Sequence, residues 1–308
     1  MTKIERLRAA LAGGEVDRPP FTVWYHFGLQ HAPAEHTARA HLDFFEAYDL
    51  DWLKIMNDYS YPMPPGVEAV TVPADLRRLA PFDVTLGPTG EQLKVVEIVA
   101  AALRGRALVI DTVFDAWSTL RRNVVKDAIE PLMREHPAAL EAVLAVVNDN
   151  LIRYALASLQ RGAAGIFLSV PATAESVTPD QYETFMRPFD LALLEAIQGR
   201  GEGHILHAHG DRLYFDRLLD YPVAGISWAD RGSGPTLSAA RRLTPRALVG
   251  GINHVNFPYV TAATLREQVR TAVLEAGRGK LLLAPGCAIP TYSFPELIRA
   301  TRGAAATV

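Results

Sequence analysis

His207 and His209 lie two residues apart in Gly203-His204-Ile205-Leu206-His207-Ala208-His209-Gly210. On a strand, side chains two apart leave the same face, so both imidazoles would project together. A second segment, Lys280-Leu281-Leu282-Leu283-Ala284-Pro285-Gly286-Cys287, is an apolar run that breaks at Pro-Gly and puts the chain's single cysteine on the turn. Two imidazoles and one thiolate at strand ends are a donor set for zinc, with a fourth position left for water or substrate. The plainer alternatives are a histidine packed in the core beside one bonded to a backbone carbonyl, and a cysteine acting as a small buried apolar residue. His26, Asn57, Asp58, Asp115, Asp230, Asn253 and His254 also stand at or after the ends of apolar runs. Turn and cap preference accounts for the Asp and Asn residues. It accounts less well for clustered histidine and a lone cysteine.

These groups need a scaffold that gathers strand ends. Apolar runs at 21–27, 52–56, 107–114, 164–168, 204–208, 223–228, 247–252 and 281–284 alternate with helical segments. Eight strands alternating with helices predict an α/β fold, a single (β/α)8 TIM barrel spanning 1–308, with the chemistry at the C-terminal mouth. An open doubly wound sheet has the same alternation. The sequence has neither a Gly-rich dinucleotide fingerprint nor a P-loop. Helices are expected over 137–160, after the Thr178-Pro179-Asp180 cap, from Thr261 to about Gly277, and over 295–302. The Pro- and Gly-rich stretch 61–90 reads as an inserted loop over the active-site face.

Composition bounds the partners. The 308 residues are 49% hydrophobic and 21% charged, with a formal net charge of -3. That balance favours neither nucleic acid nor an anionic membrane surface and leaves a small-molecule substrate as the expected partner. No run of about 18 apolar residues appears, so no membrane span is expected. Met1-Thr2-Lys3-Ile4-Glu5-Arg6-Leu7 reads as a charged helix start rather than a signal peptide. One cysteine excludes an intramolecular disulfide and fits a reducing, cytoplasmic location.

Taken together, several motifs carry a resemblance. They are Asp17-Arg18-Pro19-Pro20, Asp51-Trp52-Leu53-Lys54-Ile55-Met56-Asn57-Asp58, Gly162 to Ser169, Thr178 to Phe185 with Arg187-Pro188, His207-Ala208-His209-Gly210, Gly250-Gly251-Ile252-Asn253, and Ala284 to Pro290. In this order and spacing the chain resembles the uroporphyrinogen decarboxylase superfamily along nearly its whole length. The resemblance implies a (β/α)8 barrel, often dimeric, so a homodimer is an expectation.

The superfamily hosts different chemistries, and fold does not choose between them. True decarboxylases bind a polycarboxylate through arginines after the first strand. Here that stretch is Trp24-Tyr25-His26-Phe27-Gly28-Leu29-Gln30-His31, without arginine. Their catalytic aspartate matches Asn57 or Asp58, Ser169 matches a serine of their motif, and Cys287 replaces a histidine. The zinc-dependent corrinoid methyltransferases of the same superfamily use a His-x-Cys pattern and a late Pro-Gly-Cys. His207 and Cys287 match these ligands, and His209 stands where that branch has cysteine. The resemblance therefore implies zinc on His207, His209 and Cys287 and methyl transfer, with a corrinoid protein as partner. Asp58, Asn57 and His26 are the catalytic candidates; Tyr59, Asp115, Ser169, Asp230 and His254 are the substrate-binding ones. The alternatives are decarboxylation of a tetrapyrrole or smaller acid, with Lys54, Arg212 and Arg231 as the available cations, and non-catalytic corrinoid or tetrapyrrole binding.

Overall fold

An α/β arrangement is built on one parallel sheet. The computed structural model describes residues 1–64, 66, 67, 70 and 73–308. The strands are β1 (Trp52–Ile55), β2 (Leu108–Phe114), β3 (Gly165–Val170), β4 (Ile205–Ala208), β5 (Gly225–Trp228), β6 (Ala247–Ile252) and β7 (Leu281–Pro285), each paired with the next in chain order. Parallel neighbours require crossovers, which are largely helical. The α-helices are α1 (Lys3–Ala12), α2 (Ala34–Tyr48), α3 (Pro73–Leu76), α4 (Gly87–Leu103), α5 (Ala116–Leu120), α6 (Ile129–Glu135) and α7 (Pro137–Gln160). They continue with α8 (Pro179–Phe185), α9 (Arg187–Ala196), α10 (Leu237–Leu243), α11 (Ala262–Ala276) and α12 (Pro295–Ala305). Thr178 closes a capping box with Gln181 at the start of α8, and Gly277 ends α11, as the sequence indicates.

The expected eighth strand at 21–27 is not formed. Pro19 and Pro20 have no N–H for a ladder, and after them only Phe21 pairs in strand fashion, with Leu283 of β7. The Leu283 N–H donates to Pro20 O (2.9 Å) and the Thr22 N–H to Leu283 O (3.1 Å). Toward β1, the Asp51 N–H donates to Phe21 O (2.8 Å) and the Thr22 hydroxyl to Trp52 O (2.9 Å). Residues 20–22 thus span from one sheet edge to the other by a short seam. The sheet is seven-stranded, not a closed eight-stranded barrel.

Alternation along the strands sorts the side chains. Leu53, Ile55, Val109, Ile166, Leu168, Leu206, Ile226 and Leu248 join the large core under the helices. Trp52, Met56, Leu108, Ile110, Phe167, Ile205, Val249, Leu282 and Ala284 form a second, inner cluster. Leu7 and Ala10 of α1 complete that inner cluster at the end where the strands begin, and both are fully buried. A buried ion network fixes α1 there. Asp51 accepts from Arg6 Nη1 (2.7 Å), from Arg18 Nη1 and Nη2 (2.5 and 2.8 Å) and from the Phe21 N–H (2.8 Å).

On the outer face, Asp111 of β2 accepts from Tyr154 Oη (2.6 Å), Ser158 Oγ (2.8 Å) and Gln92 Nε2 (3.0 Å), tying α7 and α4 to the sheet. By length and composition α7 could cross a membrane; here it packs on α5, α9, β2 and β3. The stretch 61–90, expected as a loop over the active-site face, is described in part. Pro65, Glu68, Ala69, Thr71 and Val72 lie outside the described residues. Of the rest, Tyr61 and Phe82 pack edge to face, and Asn150 of α7 donates to Tyr61 Oη (2.7 Å). None of the described residues from 61 to 90 lines the cavity that holds His207, His209 and Cys287.

Candidate metal centre

Two strands and one close turn bring three donors together. His207 lies two residues beyond Ile205 on the inner face of β4, and the His209 N–H donates to Val170 O of β3 (2.9 Å), holding the chain in line past the strand end. Gly286 sets Cys287. A Cβ at Gly286 would lie 2.6 Å from Ala229 Cα and 2.9 Å from Trp228 O, so only glycine lets the turn after β7 pass the end of β5. The ligand atoms of His207, His209 and Cys287 all lie within 4.8 Å of one another. Cys287 Sγ is 3.8 Å from His209 Nδ1. His207 Nδ1 is 3.1 Å from Ser227 Oγ of β5, which leaves Nε2 free, and Phe167 stacks on the His207 ring with centroids 5.2 Å apart.

The trio fits a zinc ion. Tetrahedral zinc with bonds of ~2.0–2.3 Å separates its donors by roughly 3.4–3.8 Å. The Cys287–His209 spacing of 3.8 Å already meets this, and the widest pair, at up to 4.8 Å, closes with a shift of about 1 Å. Two nitrogens and one sulfur suit zinc, and Ser227 is the outer hydrogen-bond partner that orients a ligating histidine. Burial pushes His207 well below the usual histidine range, with His209, Lys54 and His254 adding to the shift, so the ring is neutral at pH 7. Burial raises the Cys287 thiol, opposed by the Ala288 backbone and by Lys54.

The trio opens into a cavity of about 460 Å³ whose lining includes His26, Lys54, Ser169, the rings of Trp24, Phe114, Trp117 and Phe167, and Arg121 and Arg122. His26 Nδ1 pairs with Asp58 Oδ1 at 2.5 Å. Lys54 is 3% exposed. Its amine lies 4.6 Å from the Phe167 ring centroid and 5.3 Å from that of Trp24, and donates to Met56 Sδ (2.8 Å). Burial lowers its amine to about 7, against the pull of Cys287, Asp58 and Asp111. Arg121 and Arg122 begin a π-helical turn (Arg121–Val125) and lie over Trp117 and Phe114 at 5.3 and 4.6 Å.

The other candidates divide. Ser169 joins the cavity lining with His26. Asn57 gives its Nδ2 to Thr112 O (3.2 Å) and, with Tyr59, lines a separate pocket of about 50 Å³. The Tyr59 hydroxyl donates to Ala32 O (2.9 Å) and meets Thr37 Oγ1 (3.2 Å), outside the lining of the cavity at the trio. Asp115 is also outside that lining. It caps α5 by accepting from the Ser118 N–H (3.2 Å) and sits behind the wall made by Trp117 and Ser118, where burial raises its carboxyl to about 7. Asp230 braces β6: it accepts from the Gly251 N–H (2.9 Å), and a Cβ at Gly250 would lie 2.5 Å from its Oδ1. Burial raises that carboxyl to about 6. His254 lines a neighbouring cavity of about 360 Å³ with Asp211, Arg231 and Asn253. Arg231 is spent on Gly251 O, Gln268 O and Thr271 Oγ1, and Arg212 is exposed near Glu175 (3.6 Å). The sequence reading did not place Arg121 and Arg122, because a π turn leaves no periodic signal. The pairing of Trp52 with Lys54 and Met56 did carry a signal for Lys54, since alternation puts all three on one face.

The family model for uroporphyrinogen decarboxylase matches residues 57–307. The chain belongs to this family. Among solved structures it is similar to a methyltransferase from Methanosarcina mazei, with a TM-score of 0.83 and 20% identity over 99% of this chain and 98% of that one. It is more distantly similar to a B12-independent methionine synthase from a Shewanella species, with a TM-score of 0.53, 15% identity, and 70% and 65% of the two chains covered. A putative B12-independent methionine synthase from Listeria monocytogenes gives 0.50 and 12%, over 88% and 85%. At these identities the likenesses speak for the fold. No curated protein matches the sequence.

Proposed function

We propose that this family member is a zinc-dependent methyltransferase whose metal is held by His207, His209 and Cys287. The observation that carries the reading is the convergence of three donor atoms within 4.8 Å at the cavity. Zinc held there lowers the pKa of a thiol or similar acceptor and makes it a nucleophile at neutral pH. The residues do the rest. Ser227 fixes the His207 ring, and Phe167 stacked on it keeps one side dry. The Asp58 carboxylate occupies His26 Nδ1, so His26 Nε2 is the nitrogen available to take up the acceptor's proton. The aromatic walls exclude water from the transfer. A corrinoid protein as methyl donor follows from the superfamily resemblance and belongs to this proposal.

Decarboxylation of a carboxylic acid is the second reading. One observation favours it: Arg121 and Arg122 line the cavity with aromatic rings beneath them and no carboxylate partner among the described residues.

Metal analysis separates the two. Purified wild type is expected to hold about one zinc per chain, lost in both His207→Ala and Cys287→Ala. A wild-type protein that stays metal-free when zinc is supplied ends the methyltransferase reading.

A further inference from the structure

The proposed methyl transfer employs the metal trio and His26 and leaves Lys54, in the same cavity, unexplained. Lys54 projects from β1 into the cavity, yet among the described residues no carboxylate or carbonyl oxygen bonds its amine, which donates to a thioether. A lysine 97% removed from solvent and unpaired costs stability that packing alone does not return. The rings of Trp24 and Phe167 wall its amine from water. The same cavity presents His26, whose Nδ1 pairs with Asp58, an acid–base pair with Nε2 left for a proton. A dry amine beside a proton shuttle is the equipment of covalent carbonyl chemistry.

We propose that Lys54 and the His26–Asp58 pair form a second reactive centre, which condenses with the carbonyl group of a small aldehyde or ketone. The amine nitrogen adds to the carbonyl carbon, and His26 relays a proton from nitrogen to oxygen. The carbinolamine then loses its oxygen as water, taking the second nitrogen hydrogen, and the C=N bond replaces C=O. No electrons are exchanged with an outside agent, and water reverses the step. The cavity of about 460 Å³ has ample room for a small carbonyl compound. The step shares His26 with the methyl-transfer reading but uses no metal, so a test on metal-free protein separates the two.

The test is reductive trapping in the presence of a chelator. The full-length protein is incubated separately with acetaldehyde and with pyruvate, each with cyanoborohydride, and the adducts are mapped by peptide mass spectrometry. The expected result is an adduct on Lys54 that saturates at one per chain and forms ahead of adducts on the exposed Lys94 and Lys126. It is expected to be absent from Lys54→Arg and to form about tenfold more slowly in Asp58→Asn. Adducts confined to exposed lysines, or formed equally on all of them, overturn the proposal. Mapping on the wild type decides this even where a variant fails to fold. An adduct on metal-free protein that never binds zinc would remove the methyl-transfer reading and leave this one in place.

Discussion

At the scale of single residues, His41 shows how a side chain outside the cavity lining sets up the site. It is buried on α2; its Nδ1–H donates to Thr37 O (2.9 Å), and its Nε2 accepts the Met56 N–H (3.0 Å) at the end of β1. Both nitrogens are committed in the neutral ring, and a second proton would oppose the Met56 N–H. Burial accordingly lowers its pKa from 6.5 to about 4. The unfolded chain takes up that proton near 6.5, and the folded chain only near 4. Stability from this group is therefore whole at neutral pH and lost as pH falls through that window. Urea unfolding at pH 7 and pH 5 should differ by about 2 kcal/mol from His41 alone, and a His41→Gln variant should lack that increment. Little of this was legible in the sequence, where His41 is one histidine in a helical stretch. His207, His209 and Cys287 were legible because period-two spacing and a Pro-Gly break fix direction within a few residues. For Tyr59, Asp115 and Asp230 the sequence carries less, because polar residues at strand ends serve backbone groups as readily as ligands.

At the scale of elements, Asp111 is the junction. One buried carboxylate takes hydrogen bonds from α4 and from two turns of α7, so those helices are held to β2 by more than apolar packing. Asp111→Ala leaves the donors of Tyr154, Ser158 and Gln92 without their acceptor and should cost about 3–5 kcal/mol in chemical denaturation. Tyr154→Phe removes one donor and should cost about 1–2 kcal/mol. The elements themselves were well marked. Helix α7 matches its expected bounds, and Thr178 and Gly277 mark helix ends through local chemistry that does not depend on the rest of the fold. The failure at 21–27 has the opposite cause: its apolar run is genuine, but pairing depends on neighbours far along the chain and on the Pro19-Pro20 pair at its start. The π turn at Arg121–Val125 was equally hidden, so two cavity-lining arginines escaped notice.

At the scale of the whole molecule, the seam between β7 and β1 is the weakest join around the sheet. It rests on residues 20–22, whereas β3 and β4 share four register pairs and lie between strands on both sides. Hydrogen exchange should reach the amides of Phe21 and Thr22 before those of Leu168 and Leu206, and native-state exchange by mass spectrometry reads that order directly. The opposite end of the inner cluster has no such opening. Leu7 and Ala10 fill it, and Arg6 is locked to Asp51. With that end filled among the described residues, the cavity is reached by the mouth where the strands end, and a vestibule with one door obeys queue discipline. For the proposed methyl transfer, ordered binding is then the expected outcome: the partner that binds deepest enters first and leaves last.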